Sequence, residues 1–145
     1  MTLLQISALG FSFIVFSIWA LYFGGFIPEP YRSRSCQGRA WRTTFPEKSK
    51  HEIREFLLIF SNAFAFRQSQ KLQFNPGDGI LELYKTIYPT NRFGIDNLEL
   101  EAFATDLEKT YRIDFNAIWN EELTFGRLYE YCNDSNPCFL NSIGQ

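Results

Sequence analysis

The chain has 145 residues, 46% of them hydrophobic, and its 14 Lys plus Arg against 16 Asp plus Glu leave a formal net charge of -2. That length suits one domain of modest core and excludes a multi-domain enzyme, because chains divide into several cores only beyond about 250 residues. One His and three Cys, with no C-x-x-C or H-x-x-x-H pair, are too few for a structural zinc site, and the acidic balance excludes nucleic acid as an expected partner.

Residues 1–27 carry no charged side chain and are rich in Leu, Ile, Phe and Trp. At ~1.5 Å per residue, Leu3 to Phe23 would form a helix about 30 Å long, the thickness of a bilayer core. A transmembrane anchor is therefore predicted. A cleaved secretory signal is the rival, but it should carry a basic leading region and a small-x-small cleavage site, and neither precedes Gly24-Gly25. Only Met1 and Thr2 come before the apolar run, whereas Arg32, Arg34, Arg39 and Arg42 follow it. Positive charge stays on the cytoplasmic side, so the N-terminus is expected outside and the rest of the chain in the cytoplasm.

Residues 28–48 form a Pro-punctuated, Arg-rich stretch expected to be a basic juxtamembrane linker. In one reading Tyr31, Trp41 and Phe45 sit at headgroup level while Arg32, Arg34, Arg39 and Arg42 meet anionic lipid, each charge contributing ~1 kcal/mol near the surface. In the other, the segment is a solvated linker whose arginines only fix topology.

The helical pattern begins at Ser49, which with Glu52 makes a capping box. Ile53, Phe56, Leu57, Phe60 and Phe64 then recur at helical spacing, predicting an amphipathic helix to about Phe66. A polar, turn-rich stretch broken at Pro76-Gly77 follows, then a short helix over 79–88 with Ile80, Leu83, Tyr84 and Ile87 available for burial. Asp96 and Glu99 predict the cap of a third helix, with Leu100, Phe103, Ala104, Leu107 and Tyr111 as its stripe. A turn at N-A-I-W-N leads to a last helix capped by Thr124, stapled by Leu123 and Leu128, and reaching about Cys132. Residues 133–145 are expected to be a loosely packed tail. No segment alternates well enough to demand a strand, so the fold class is all-α, a small irregular four-helix bundle over 49–132 behind the anchor.

Two local patterns carry a resemblance. Gly94-Ile95-Asp96-Asn97-Leu98-Glu99, followed by an acidic amphipathic helix, is similar to the Gly-x-Asp-Ser-Leu-Asp motif that opens the second helix of acyl carrier proteins. Glu122-Leu123-Thr124 leading into F-G-R-L-Y-E-Y resembles the Thr-capped final carrier helix. The chain from about Ser49 to Cys132 thus resembles an acyl-carrier domain. It is also similar to a bacterial group of acyl-carrier-like proteins, some with an N-terminal membrane helix before a C-Q-G-R-A-W-R type stretch. That likeness implies the bacterial inner (cytoplasmic) membrane as the location of the anchor.

In a working carrier the motif serine accepts phosphopantetheine through its hydroxyl, and the prosthetic thiol holds the acyl chain. Asn97 stands at that position here, between Asp96 and Leu98. A carboxamide cannot form the phosphodiester, so no cofactor is expected, while Asn remains a good residue for a helix start. The resemblance further implies that Glu99, Glu101, Asp106 and Glu108 form a surface for a protein partner with a basic patch. The plain alternative is a solvated face that keeps a small domain soluble.

Other constellations carry less. His51 lies in a first helical turn and is expected at the surface. No G-x-S-x-G or local cysteine signature sets up a nucleophile, and N-P-G-D-G lacks the Lys-Ser or Lys-Thr of a phosphate loop. No catalytic or metal-binding residue is expected. Cys132 and Cys138 are close enough in sequence for a bridge, but in a cytoplasmic domain both, like Cys36, are expected to be free thiols. The 16 Phe mainly predict core, and a bundle this small can also part its helices to admit a free lipid or acyl chain. The expected function is a membrane-anchored interaction module without phosphopantetheine rather than an enzyme; the alternative is binding of a free lipid or acyl chain at the membrane. The charge is unevenly spread, +4 over 28–50, +1 over 51–93 and -7 over 94–145.

Overall fold

Trp41 has no exposed surface, and the domain is organised around it and a second aromatic, Phe60. The structure, a computed structural model, describes residues 25–89 and 98–135. Within them every regular element is helical and no strand forms, only two isolated bridges. The predicted anchor, Leu3 to Phe23, lies outside the described residues; among those described, no helix is long and apolar enough to cross a membrane.

The first helix, α1 (Gly38–Thr44), falls inside the segment expected to be a linker. That expectation is corrected: Tyr31, Trp41 and Phe45 are all buried in the main core, beside Ile27, the last residue of the segment assigned to the anchor. Trp41 and Phe45 stand one helical turn apart and their rings stack at 5.8 Å, while Arg39 and Arg42 on the same segment stay exposed. The indole Nε1–H of Trp41 donates to the Phe74 carbonyl at 2.8 Å, which satisfies the one polar atom that burying this ring would otherwise leave unpaired. The basic residues that suggested a headgroup setting are the solvated side of a helix whose other side is core.

Helix α2 (Lys50–Ala63) starts at the predicted capping box. The Ser49 hydroxyl oxygen accepts from the Glu52 N–H at 3.2 Å, and the Glu52 carboxylate accepts from the Ser49 N–H at 2.8 Å. These bonds hold the Glu52 carboxyl below the usual carboxylate range. Ile53, Phe56, Leu57 and Phe60 are buried along one face as the spacing predicts. The Phe60 ring meets Phe74 at 5.2 Å, Phe103 at 5.1 Å and Phe125 at 4.8 Å, each nearly edge to face, an arrangement that aromatic quadrupoles favour.

The helix stops at Ala63, short of the predicted Phe66. Phe66 N–H donates to the Ser61 carbonyl at 2.8 Å and Ala65 N–H to the Asn62 carbonyl at 3.1 Å, with Ala65 in the left-handed region at φ 53°. This is a Schellman ending with alanine where glycine is usual. The stretch that follows contains a 3-10 helix, Gln68–Gln73, before the turn at 75–78.

Helix α3 (Ile80–Ile87) buries Ile80, Leu83 and Tyr84. Its entry is tied to the start of the last helix: Ile80 N–H donates to the Leu123 carbonyl, Phe125 N–H to that of Asp78, and Gly126 N–H to that of Pro76 at 2.8 Å. A Cβ on Gly126 would lie 3.0 Å from that Pro76 oxygen, so the close approach needs glycine. Helix α4 (Leu98–Tyr111) buries Phe103 and Leu107, with Leu100, Ala104 and Tyr111 only partly covered. One turn of helix, α5 (Phe115–Ile118), capped by Asp114, replaces the turn expected there. Helix α6 (Phe125–Asp134) is capped by Thr124 and buries Leu128, Tyr129 and Cys132. It runs two residues past the predicted end. The Tyr129 ring closes the core over Trp41, Phe45 and Phe56 at 5.8, 4.9 and 5.1 Å.

Candidate functional site

The attachment position of the resemblance, Asn97, and its neighbour Asp96 lie outside the described residues. Leu98 is the first residue of α4 and is 63% exposed. The four acids expected to form one surface divide into two kinds. Glu99 accepts a hydrogen bond from the Tyr88 hydroxyl at 2.7 Å, and this carboxylate adds to burial in pushing the phenol up to about 12. Glu108 accepts from the Phe115 N–H at 3.2 Å and so links α4 to α5. Glu101 and Asp106 are exposed, so the surface available to a partner is narrower than the sequence suggested.

The four arginines also separate. Arg34 donates through one nitrogen to both Asp78 carboxylate oxygens at 2.8 Å, and its guanidinium lies 4.7 Å from the Tyr31 ring centre. The Asp78 bond raises the Arg34 pKa further. Asp78 in turn accepts from the Asn75 N–H at 2.7 Å. Arg34 therefore fastens the chain before α1 to the turn before α3, and its charge is engaged within the domain. Arg32 pairs with Glu29 at 3.0 Å at the surface. Beside it, the half-exposed Phe26 ring has the Arg32 guanidinium at 6.0 Å and that of Arg67 at 4.3 Å.

Arg39 and Arg42 line a groove of about 470 Å³ between α1 and α2. The opposite wall brings Lys50 and Arg54, and Pro46, Leu72 and Thr43 complete the lining with Trp41 and Ile53. Sequence reasoning missed Lys50 and Arg54. They stand four apart on the polar side of α2, where charge ordinarily means solvent, and only the packing of α1 onto α2 makes them face Arg39 and Arg42 across one concavity. Charge density alone, six basic residues in 28–50, was the available signal.

His51 and the cysteines complete the candidates. His51 is highly exposed, with Nδ1 3.9 Å from Glu55. Cys132 is buried, and desolvation pushes its thiol up to about 12, which leaves almost no thiolate at neutral pH. Cys36 is exposed at the rim of the groove, while Cys138 lies outside the described residues. Among the described residues no cluster of His, Cys, Asp and Glu converges as for a metal ion. The assembled side chains comprise a basic concavity lined from α1 and α2 and two exposed acids, Glu101 and Asp106, on α4. No family model, curated protein or solved structure matches the chain.

Proposed function

We propose that the chain is a membrane-anchored, acyl-carrier-like interaction module without a phosphopantetheine group, and that its helical domain offers the exposed acids of α4 to a partner with a basic surface. One observation carries this reading. Residues Leu98–Tyr111, which follow the Asn97 pattern in sequence, are helical, and Thr124 caps α6 through the Arg127 N–H, in keeping with the Thr-capped final helix of the resemblance. The charge-free run before Gly24 supports the anchor and the arginines after it support a cytoplasmic domain.

In this reading Glu101 and Asp106 are the contact pair, because Glu99 and Glu108 are already engaged inside the domain. The test is co-purification of the intact chain from membranes beside the variant Glu101→Lys/Asp106→Lys. The same partner should be recovered with the wild type and lost with the variant, while helical circular dichroism is unchanged. Equal recovery would sink the surface. An intact-mass spectrum of the wild type should show no phosphopantetheine addition, and an adduct there would overturn the proposed loss of carrier chemistry.

A further inference from the structure

We propose that the groove between α1 and α2 binds the phosphate of an anionic glycerophospholipid through Arg39, Arg42, Lys50 and Arg54. These four cations line one concavity, and none of them has a carboxylate within ion-pair distance among the described residues. Arg32, Arg34 and Arg127 are matched to Glu29, Asp78 and Glu130, whereas Lys48, Lys71, Lys85, Lys109 and Arg112 are also without an ion pair among the described residues; what sets the groove apart is that four such cations converge on one concavity. Positive charge left unmatched in a concave, low-dielectric setting attracts an anion more strongly than the same charge on a convex surface. Guanidinium groups present paired N–H donors that fit phosphate oxygens, and the Lys50 ammonium adds a mobile point charge.

The apolar parts point to a lipid rather than a bare ion. Pro46 and Leu72 line the same groove, and the stems of the arginines add methylene surface beneath their charged ends. The volume of about 470 Å³ lies within the roughly 300–1,000 Å³ typical of small-molecule sites and accommodates a glycerophosphate with the first carbons of its chains. The lipid source follows from position in the chain. Phe26, half exposed beside the guanidiniums of Arg32 and Arg67, lies at the end of the charge-free run, and cations that follow such a run stand at the membrane surface. The choice of lipid as source therefore rests on the anchor proposed above, while the phosphate chemistry of the groove does not.

The test uses the full chain in neutral detergent, titrated with dihexanoyl phosphatidylglycerol, dihexanoyl phosphatidylcholine or glycerol phosphate and read by native mass spectrometry. The soluble short-chain lipids separate binding in the groove from insertion of the anchor. Phosphatidylglycerol should bind best, and Arg39→Gln/Arg54→Gln should weaken it about 30-fold, from ~1 kcal/mol for each charge removed. A charge-matched control, Lys85→Gln/Lys109→Gln on other helices, should leave it unchanged. Equal affinity in the Arg39→Gln/Arg54→Gln variant, an equal loss in the control, or equal binding of phosphatidylcholine overturns the site. Binding of glycerol phosphate in preference to phosphatidylglycerol overturns the lipid as its ligand. Fractionation of the wild type reports on the anchor separately: recovery away from membranes defeats the tether whatever the titration shows.

Discussion

Two segments of this molecule exchange the roles their sequences suggest. Residues 28–48 are Arg-rich and Pro-punctuated, yet they place Tyr31, Trp41 and Phe45 in the core and fix themselves to the turn before α3 through Arg34 and Asp78. Helix α4 has the clearest cap and stripe in the sequence, yet it fully buries only Phe103 and Leu107. The difference teaches that burial here follows a few large aromatic side chains rather than charge density or the regularity of a stripe. A single indole that removes some 200 Å² from water outweighs several solvated guanidiniums beside it.

The sharpest way to break this comparison is Trp41→Ala. A linker tryptophan would cost under about 0.5 kcal/mol. A core tryptophan costs about 3–5 kcal/mol, and here the Phe74 carbonyl also loses its buried donor. Urea unfolding of the variant should show the larger loss, and a near-wild-type midpoint would return the segment to the status of a linker.

Alkaline pH probes the same side of the core. Burial raises the folded-state pKa of Cys132 from 9.0 to about 12 and that of Tyr129 from 10.0 to about 12, and it raises Tyr111 as well. Groups raised on folding contribute stability that is fully present below the unfolded pKa and is lost as pH rises through the folded one. Stability should thus hold up to about pH 9 and fall by a few kcal/mol toward pH 12, followed by circular dichroism in urea at each pH. A flat profile would mean that these groups are solvated.

Asp78→Ala should cost about 2 kcal/mol, since it leaves Arg34 and the Asn75 N–H without their carboxylate; the partial exposure of Arg34 keeps the figure below that of a fully buried pair. The expected loss is larger than for Glu130→Ala, which removes an exposed partner of Arg127, and equal losses would show that the Arg34 clamp does no more than a surface pair. The smallest effect is a gain. Ala65 occupies a left-handed position that costs an L-residue about 1–2 kcal/mol, so Ala65→Gly should stabilise by up to about 1 kcal/mol after the entropy of glycine is counted. A lowered melting temperature would contradict the ending assigned to α2.

What the sequence made legible was local. Ser49 with Glu52 and Thr124 with Leu123 are caps complete within a few residues, and the α2 stripe needs only helical spacing to be seen. The end of α2 was missed because its Schellman turn uses Ala65, and alanine reads as helix former rather than stop. Helix α5 was missed because one turn is too short to show a period. Trp41 was misassigned because its neighbours are arginines, and only the distant Phe74 carbonyl supplies its partner. The same distance hid the site. Arg34 and Asp78 are 44 positions apart, and the groove exists only where α1 packs on α2. Of the expected contact residues, Arg39 and Arg42 reach the groove, Arg34 does not, and Glu101 and Asp106 keep the exposure proposed for them.

The first described residues hold a mechanical consequence. Gly25 N–H donates to the Ala65 carbonyl at 3.1 Å, and Ile27, two residues on, is 1% exposed. From Gly25 onward the chain is therefore fixed to the domain without a free residue between that bond and the core. A domain on a flexible leash samples a volume that grows with leash length, and its binding surfaces are diluted accordingly. From Gly25 to Ile27 there is no such leash, so a force applied at Gly25 is delivered directly to the end of α2.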